Sequence, residues 1–326
     1  MKRISYIASL ILLCTMCSSG SEWQDVIDKD NNKHETNDDG NNPGTPATYE
    51  VKIGIITDAH YSTKANSAGR YYSASKDKIT EAVQVFNNAG VDMTISLGDL
   101  VDNEYTNYTD IQVVLAKLAM PMYKILGNHD FITPFSEEQQ AAALKVLGIT
   151  NRYFSIVKNG VRLIFLDSSD LATYSHPLES KGYREAEAIY KELKDDLAPN
   201  ARVYNGAIGS VQMEWLKSEL QKAQSLSEHV VCFTHIPLAL PATGNKYTLW
   251  NDEDVIDLLT EYPCVKAVIG GHHHEGGYSL TGGIHHITLK GMVQGEQNSY
   301  SILSIKKTSV EVDGFGRETD YEYKLK

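Results

Sequence analysis

The sequence predicts an α/β fold, a sandwich of two sheets flanked by helices, and three observations lead there. Short β-rich apolar runs recur along the chain, and each ends abruptly in acidic or imidazole residues. Helix-like stretches usually follow them, and strands alternating with helices imply parallel pairing. The region from Tyr278 onward lacks helical patterns and reads as further strands, a second and more antiparallel sheet packed on the first. With 326 residues, 42% of them hydrophobic and 22% charged, the chain has the length and composition for a full core.

At the N-terminus, Lys2 and Arg3 precede an apolar run, Ile4 to Leu13, too short to cross a bilayer as a helix. In the following "LLCTMCSSG" a cysteine succeeds the apolar core and small polar residues succeed the cysteine. Residues 1–17 therefore resemble a bacterial lipoprotein signal, with Cys17 as the acylated first mature residue. Met16 stands where a small residue is usual, and an ordinary cleaved signal peptide is the alternative; either form exports the protein. Residues 18–49 are polar, acidic and rich in Asn, Asp and Gly, too poor in apolar surface to fold, and read as a disordered tether. Residues 21–50 hold eight acids against two lysines, half of the net charge of -12. The rest is mildly acidic without a basic stripe, which argues against nucleic acid as a partner. A small anionic substrate is compatible with that charge where a metal supplies local positive charge.

The folded part is expected over residues 50–326. "VKIGIITDAH" ends at Asp58 and His60, "DMTISLGDLVD" at Asp99 and Asp102, and "MYKILGNHD" at Asn128, His129 and Asp130. "VRLIFLDSSD" ends at Asp167 and Asp170, "HVVCFTH" at His235, and "VKAVIGGHHH" at His272, His273 and His274. Helical patterns cover 73–88, 136–147 (Ser136 and Gln139 forming a capping box), 183–193, 211–223 and 253–260. Cys232 and Cys264 lie in or beside apolar runs and read as free thiols rather than a disulfide.

In α/β sheets, ligands bind beyond the carboxyl ends of the strands, and the polar clusters fall there. Asp58, His60, Asp99, Asn128, His235, His272 and His274 are thus expected along one edge. Carboxylate, imidazole and amide groups without thiolate suit Mn²⁺, Fe²⁺ or Zn²⁺. Seven donors exceed one four-coordinate ion and suit two ions sharing a carboxylate.

These residues resemble the signature of the calcineurin-like metallophosphoesterases: D-x-H, G-D-x-x-D, G-N-H-[D/E], a lone His, then G-H-x-H. Here the blocks are Asp58-Ala59-His60, Gly98-Asp99-Leu100-Val101-Asp102, Gly127-Asn128-His129-Asp130, His235 and Gly271-His272-His273-His274, all in order. The resemblance implies a metallophosphoesterase-type β-sandwich of two mixed sheets flanked by helices. It assigns Asp58, His60, Asp99 and His274 to one metal ion and Asp99, Asn128, His235 and His272 to the other. Asp99 would bridge. His273, between two extended residues that point the same way, would face elsewhere. Water activated by the ions would attack phosphorus, with His129 contacting the phosphate or protonating the leaving oxygen. Asp130 would orient the His129 ring, and Asp102 would hydrogen-bond to the ligand side chains.

A closer resemblance rests on "AGRYYSAS", "NGAIGSVQMEWLKSEL", "LWND" and "GHHHEGGY", which are similar to stretches of the manganese-dependent ADP-ribose/CDP-alcohol diphosphatases. Animal members carry Gln where this chain has His60. The resemblance implies a manganese-loaded centre, with iron or zinc as alternatives, and a small phosphorylated substrate, a nucleotide derivative. Arg70 would pair with the second phosphate, and Tyr71, Tyr72 or Trp250 would stack on the base; packing and a solvated charge are the competing roles. Asn205 and Asn251 stand behind them as substrate candidates. Asp167, Asp170, His285 and His286 read as structural, and Glu275 as a loop carboxylate. The expected activity is exported cleavage of a nucleoside diphosphate-linked phosphoanhydride, on a membrane reached only through the lipid anchor. The alternatives are a phosphomonoesterase or phosphodiesterase, acting on phospholipid head groups or cyclic nucleotides, and a non-catalytic binding lipoprotein.

Overall fold

The computed structural model describes residues 48–131 and 136–325. The expected signal peptide, Cys17 and the tether up to residue 47 lie outside the described residues. Among the described residues no helix is long and apolar enough to cross a membrane.

Two six-stranded mixed sheets face each other. The first contains β1 (Val51–Ile56), β2 (Met93–Ser96), β3 (Met122–Lys124), β10 (Ser299–Ile305), β11 (Ser309–Gly316) and β12 (Tyr321–Lys324), in the order β12-β11-β10-β1-β2-β3. Its strands β1, β2 and β3 are parallel, and β10, β11 and β12 extend it antiparallel from β1. The second contains β4 (Phe154–Lys158), β5 (Val161–Phe165), β6 (His229–Phe233), β7 (Val265–Gly270), β8 (Gly277–Thr281) and β9 (Ile284–Thr288), in the order β4-β5-β6-β7-β9-β8. Here β5, β6, β7 and β9 run parallel, with β4 and β8 as antiparallel edges.

The apolar runs look continuous because each central strand is covered twice. Ile53, Ile55, Ile95 and Leu97 meet Leu163, Phe165, Val231 and Phe233 in the layer between the sheets. The opposite face of the first sheet packs on α1 (Ser75–Ala89) and α2 (Tyr105–Leu115) through Ile79, Val83, Phe86, Tyr108 and Ile111. The opposite face of the second packs on α5 (Ser210–Ser225) and α6 (Asp252–Thr260), where Leu216, Leu220, Val255 and Leu259 meet Ile164, Val230 and Cys232. Each such fully buried aliphatic side chain contributes about 1.5–3 kcal/mol relative to exposure. Two further helices, α3 (Glu137–Leu147) and α4 (Lys181–Asp195), complete the set. Ser136 caps α3 by accepting the Gln139 N–H at 3.4 Å. Cys232 and Cys264 are free thiols.

The tail is not a sheet of its own. Strands β8 and β9 finish the second sheet, while β10, β11 and β12 finish the first. Burial explains the division: Tyr300 and Ile302 on one face of β10, and Leu303 and Ile305 in the layer between sheets, all need cover that only the β1 edge provides. Two elements also go beyond the sequence expectation. Helix α2 is rich in Thr, Tyr and Val, which masks its buried Tyr108, Ile111, Val114 and Leu115 spacing. Strand β4 is set by the Asn159–Gly160 turn, both residues at positive φ (54° and 84°), the pattern of a tight hairpin.

Candidate metal centre

All seven candidate donors follow the carboxyl ends of parallel strands. Asp58 and His60 come after β1, Asp99 after β2, Asn128 after β3, His235 after β6, and His272 and His274 after β7. The two sheets therefore present them from both sides of one cleft. Four of these residues hold left-handed backbone: Asp58 (φ 50°), His60 (44°), Asp99 (51°) and His272 (65°). Such strain in non-glycine residues persists only where surrounding structure imposes it, and it concentrates at functional sites. Two glycines permit the close approach. A Cβ on Gly127 would collide with the Asp99 carboxylate, and one on Gly271 would strike Thr57 and Asp58.

The donor atoms converge in two groups. Nε2 of His60 and Nε2 of His274 lie 3.2 Å apart, with Asp58 Oδ1 at 3.8 and 3.3 Å from them. Nε2 of His235 lies 3.2 Å from Nδ1 of His272 and 3.3 Å from Asn128 Oδ1. Asp99 Oδ2 stands between the groups, 3.3 Å from His60 Nε2 and 3.4 Å from His235 Nε2, as a bridging carboxylate requires.

The outward nitrogens decide which ring atoms face the cleft. Nδ1–H of His235 donates to the Leu97 carbonyl at 2.8 Å, and Nε2–H of His272 donates to Asn205 Oδ1 at 3.0 Å. Nδ1 of His274 faces Gln294 Oε1 at 3.4 Å. These bonds leave Nε2 of His235, Nδ1 of His272 and Nε2 of His274 as lone-pair donors. Ring nitrogens about 3 Å apart are held together by a shared proton or a metal cation, and with two such groups joined by the Asp99 carboxylate the residues present fit two divalent ions.

The electrostatics agree. Burial alone would raise Asp99, but the imidazoles of His235, His60 and His129 outweigh it and hold the carboxyl far below its ordinary range. Burial likewise works on Asp58, and His274 and His60 hold it well below 3.8. Burial draws His60 down to about 3 and His272 well below 6.5, keeping both imidazoles neutral as ligands. Burial also opposes the His235 imidazolium, yet Asp99 and Asp58 push that group up to about 9. The field of the site favours positive charge between the carboxylates.

His129 lies over this cluster, its ring 4.4 Å from that of His60 in an edge-on arrangement. Burial lowers its pKa, opposed by Asp99 and reinforced by the nearby Arg70 guanidinium. Its backbone N–H donates to Asp99 Oδ1 at 2.7 Å. The partner of its Nδ1 corrects the expectation for Asp130: the carboxylate there is Asp102, with Oδ1 at 2.6 Å. Asp130 instead accepts backbone N–H groups from Leu100 (2.9 Å), Val101 (3.3 Å) and Gly127 (2.9 Å), tying together the two motif loops. Both of its oxygens are turned to these amides, and the ring nitrogen of His129 is held by Asp102 instead. Asp102 also pairs with the Lys64 ammonium, which rests 3.9 Å above the Tyr72 ring.

The substrate candidates divide. Arg70 sits at the rim, bridged through its backbone to Gln294 and Ser67 and close enough to His129 to influence it. Tyr71 is half-buried with its hydroxyl on Glu296 at 3.4 Å. Tyr72 is buried and its face is covered by Lys64, so it offers no stacking surface. Trp250 is only 4% exposed, donates Nε1–H to the Arg202 carbonyl at 3.2 Å and packs on Tyr190, which makes it a core residue. Asn251 exchanges hydrogen bonds with the Ile208 backbone, and Asp167 and Asp170 bond Ser169, Gly209 and Gln212. His273 stacks beneath Tyr247 at 4.7 Å, outside the donor cluster.

Two aromatic residues absent from the sequence expectation stand beside the metal cluster. Tyr204 and Tyr247 stack on each other at 5.9 Å, and their rings lie 5.6 and 5.8 Å from that of His272. Tyr204 neighbours Asn205 and Tyr247 lies near "LWND", so the stretches were visible. Their meeting at His272 joins segments far apart in the chain.

A family model for calcineurin-like phosphoesterases matches residues 51–276. The manganese-dependent ADP-ribose/CDP-alcohol diphosphatase of Arabidopsis thaliana is 26% identical over 300 residues, 83% of this chain and 96% of its own length. The Mus musculus protein of the same name is 24% identical over 323 residues, 85% of this chain and 95% of its own. Among solved structures, a dimetal phosphatase from Danio rerio superposes with a TM-score of 0.75 at 22% identity, covering 86% of this chain and 100% of its own. A purple acid phosphatase from yellow lupin shares the fold more distantly, with a TM-score of 0.56 at 12% identity over 86% of this chain and 55% of its own. With seven donors converging on a cleft and the family model spanning most of the folded part, the chain belongs to the calcineurin-like phosphoesterases and is a metal-dependent hydrolase.

Proposed function

We propose that the protein is an exported, membrane-tethered diphosphatase that cleaves the phosphoanhydride of nucleoside diphosphate-linked compounds such as ADP-ribose and CDP-alcohols, with manganese as the working metal. The observation that carries the reading is likeness, over more than four-fifths of the chain and nearly all of the relatives' length, to proteins named for that activity. Bound by Asp58, His60, Asp99, Asn128, His235, His272 and His274, two divalent ions would polarise the phosphoryl group and lower the pKa of water.

The chain's own residues supply the rest. His129 has its Nδ1–H held by Asp102, which leaves Nε2 for the substrate; as the imidazolium, a cation that Asp102 stabilises, it would give its Nε2 proton to the leaving oxygen and return to the neutral ring. Arg70, at the rim near His129, would take a second phosphate, since a planar guanidinium matches such an anion through paired hydrogen bonds. Tyr204 and Tyr247 give the base an aromatic wall next to His272, the part expected of Tyr71, Tyr72 or Trp250. Export and tethering rest on Lys2, Arg3, the apolar run and Cys17.

The test is kcat/KM with Mn²⁺ for ADP-ribose and CDP-choline against p-nitrophenyl phosphate and its bis-ester. Preference for the diphosphate-linked pair, selectively lost in Arg70→Ala, supports the reading. Equal efficiency on aryl phosphates, with Arg70→Ala affecting all substrates alike, refutes it. Membrane fractionation with radiolabelled palmitate, comparing the full chain with Cys17→Ser, tests the tether. Unlabelled, soluble wild-type protein would overturn it.

A further inference from the structure

Between β9 and β10 the chain makes a ten-residue crossing, 289–298, that belongs to no motif block. It is laced to the metal ligands on one side. Met292 N–H donates to the Thr57 carbonyl and Val293 N–H to the Asp58 carbonyl, both at 2.9 Å, and Gly291 N–H donates to the His274 carbonyl at 3.1 Å. Gln294 Oε1 faces His274 Nδ1. On the other side the crossing is laced to the Arg70 turn. Gly295 N–H donates to the Gly69 carbonyl and the Val293 carbonyl accepts from Tyr71 N–H, both at 2.8 Å.

One side chain joins the two laces. Lys78 of α1 is buried, and its Nζ donates to the Met292 carbonyl at 2.8 Å and to the Gly295 carbonyl at 2.7 Å. Met292 is the residue whose N–H holds Thr57, beside Asp58. Gly295 is the residue whose N–H holds Gly69, beside Arg70. Among the described residues no carboxylate lies within ion-pair distance of this ammonium. A buried cation held by two carbonyls and the Tyr71 ring, 5.9 Å away, with no paired carboxylate is costly, and its fixed geometry is what it returns.

We propose that Lys78 is a positioning residue that couples the Arg70 turn to the Asp58–His274 half of the metal centre. By clamping both carbonyls to one ammonium, it sets the separation between the guanidinium and the metal ligands. The proposal rests on the reading of Arg70 as an anion-binding group only for its substrate effect. Its effect on metal binding rests on the lacing alone.

The experiment compares Lys78→Met with Lys78→Arg, and with Lys78→Gln should the methionine variant fail to fold, as judged by circular dichroism and thermal unfolding. Calorimetric titration of the apo protein with Mn²⁺ should show about tenfold weaker binding at one of two sites in Lys78→Met, with Lys78→Arg near wild type; loss of an outer partner of a ligand typically costs 10–100-fold. For ADP-ribose, Lys78→Met should raise KM about tenfold with a smaller change in kcat. In an Arg70→Ala background the KM penalty should vanish, since coupled residues are non-additive. Unchanged Mn²⁺ affinity, or full additivity with Arg70→Ala, overturns the coupling. A Lys78→Arg variant as impaired as Lys78→Met also overturns it, by showing that the ammonium's contacts serve packing alone. Should Arg70→Ala leave ADP-ribose hydrolysis intact, the diphosphatase reading of Arg70 fails, and the Mn²⁺ titration alone decides the role of Lys78.

Discussion

Exchanging roles between Asp102 and Asp130 predicts opposite consequences for two conservative substitutions. Asp102→Asn keeps the shape but removes the charge that holds His129 Nδ1–H at 2.6 Å. The Asp102 side chain is 3% exposed, so solvent screens this bond little. A hydrogen bond to a charged group is worth about 1.5–3 kcal/mol, and roughly 1.4 kcal/mol corresponds to tenfold, so kcat should fall about 10- to 100-fold. Losing the Lys64 partner adds little to stability, because that ammonium is 43% exposed and relaxes into water. Mn²⁺ stoichiometry should stay at the wild-type value, since Asp102 makes no hydrogen bond to a candidate ligand: its Oδ1 lies 3.7 Å from His60 Nδ1, the ring nitrogen turned away from the donor cluster. The deficit should be larger with phenyl phosphate than with p-nitrophenyl phosphate, whose leaving group needs less protonation. Asp130→Asn should act on the fold. Its amide must turn NH₂ toward one of the backbone donors from Leu100, Val101 or Gly127, at about 1–3 kcal/mol for the bond broken. That corresponds to a loss of roughly 2–10 °C in Tm. The assay is kcat on both aryl phosphates, metal content and thermal unfolding for each variant with Mn²⁺ saturating. An Asp102→Asn protein with wild-type kcat, or an Asp130→Asn protein that loses kcat equally at unchanged Tm, refutes the reasoning.

Asn205→Ala removes the acceptor that fixes the His272 ring, so Mn²⁺ affinity at one of two sites should weaken about 10–100-fold; equilibrium dialysis showing unchanged affinity would contradict the role. His286 is buried with neither ring nitrogen hydrogen-bonded, and burial draws it down to about 4 against about 6.5 in an unfolded chain. Between those values the unfolded state binds the proton first, so the stability this neutral imidazole permits is complete above pH 6.5 and lost as pH falls toward 4. The loss is about 3 kcal/mol. In urea unfolding from pH 7 to 4, His286→Leu should lose less stability than wild type, and identical slopes would disprove the assignment.

The sequence by itself determined the candidate ligand set and the class of fold. Each candidate metal ligand lies within a few residues of a strand end, whereas the extended reading of His272 to His274 fails, since His272 is left-handed (φ 65°) in the loop after β7. Strand–helix alternation likewise announced parallel sheets with their working edge at the carboxyl ends. Tertiary structure decided whatever depends on which distant segments meet. The tail divided between both sheets because β10 needed the β1 edge, a partner more than 240 residues away in the chain. Asp102 and Asp130 occupy equally plausible motif positions, and only the folded loops direct one at an imidazole and the other at three amide groups. Trp250 looked like a stacking residue until the packing of α4 covered it. Asn205, Tyr204 and Tyr247 acquire meaning only through His272, and Lys78 only through a crossing some 210 residues later. Local pattern carries the chemistry of a strand end; orientation and outer hydrogen bonds arise from long-range packing, which no local spacing encodes.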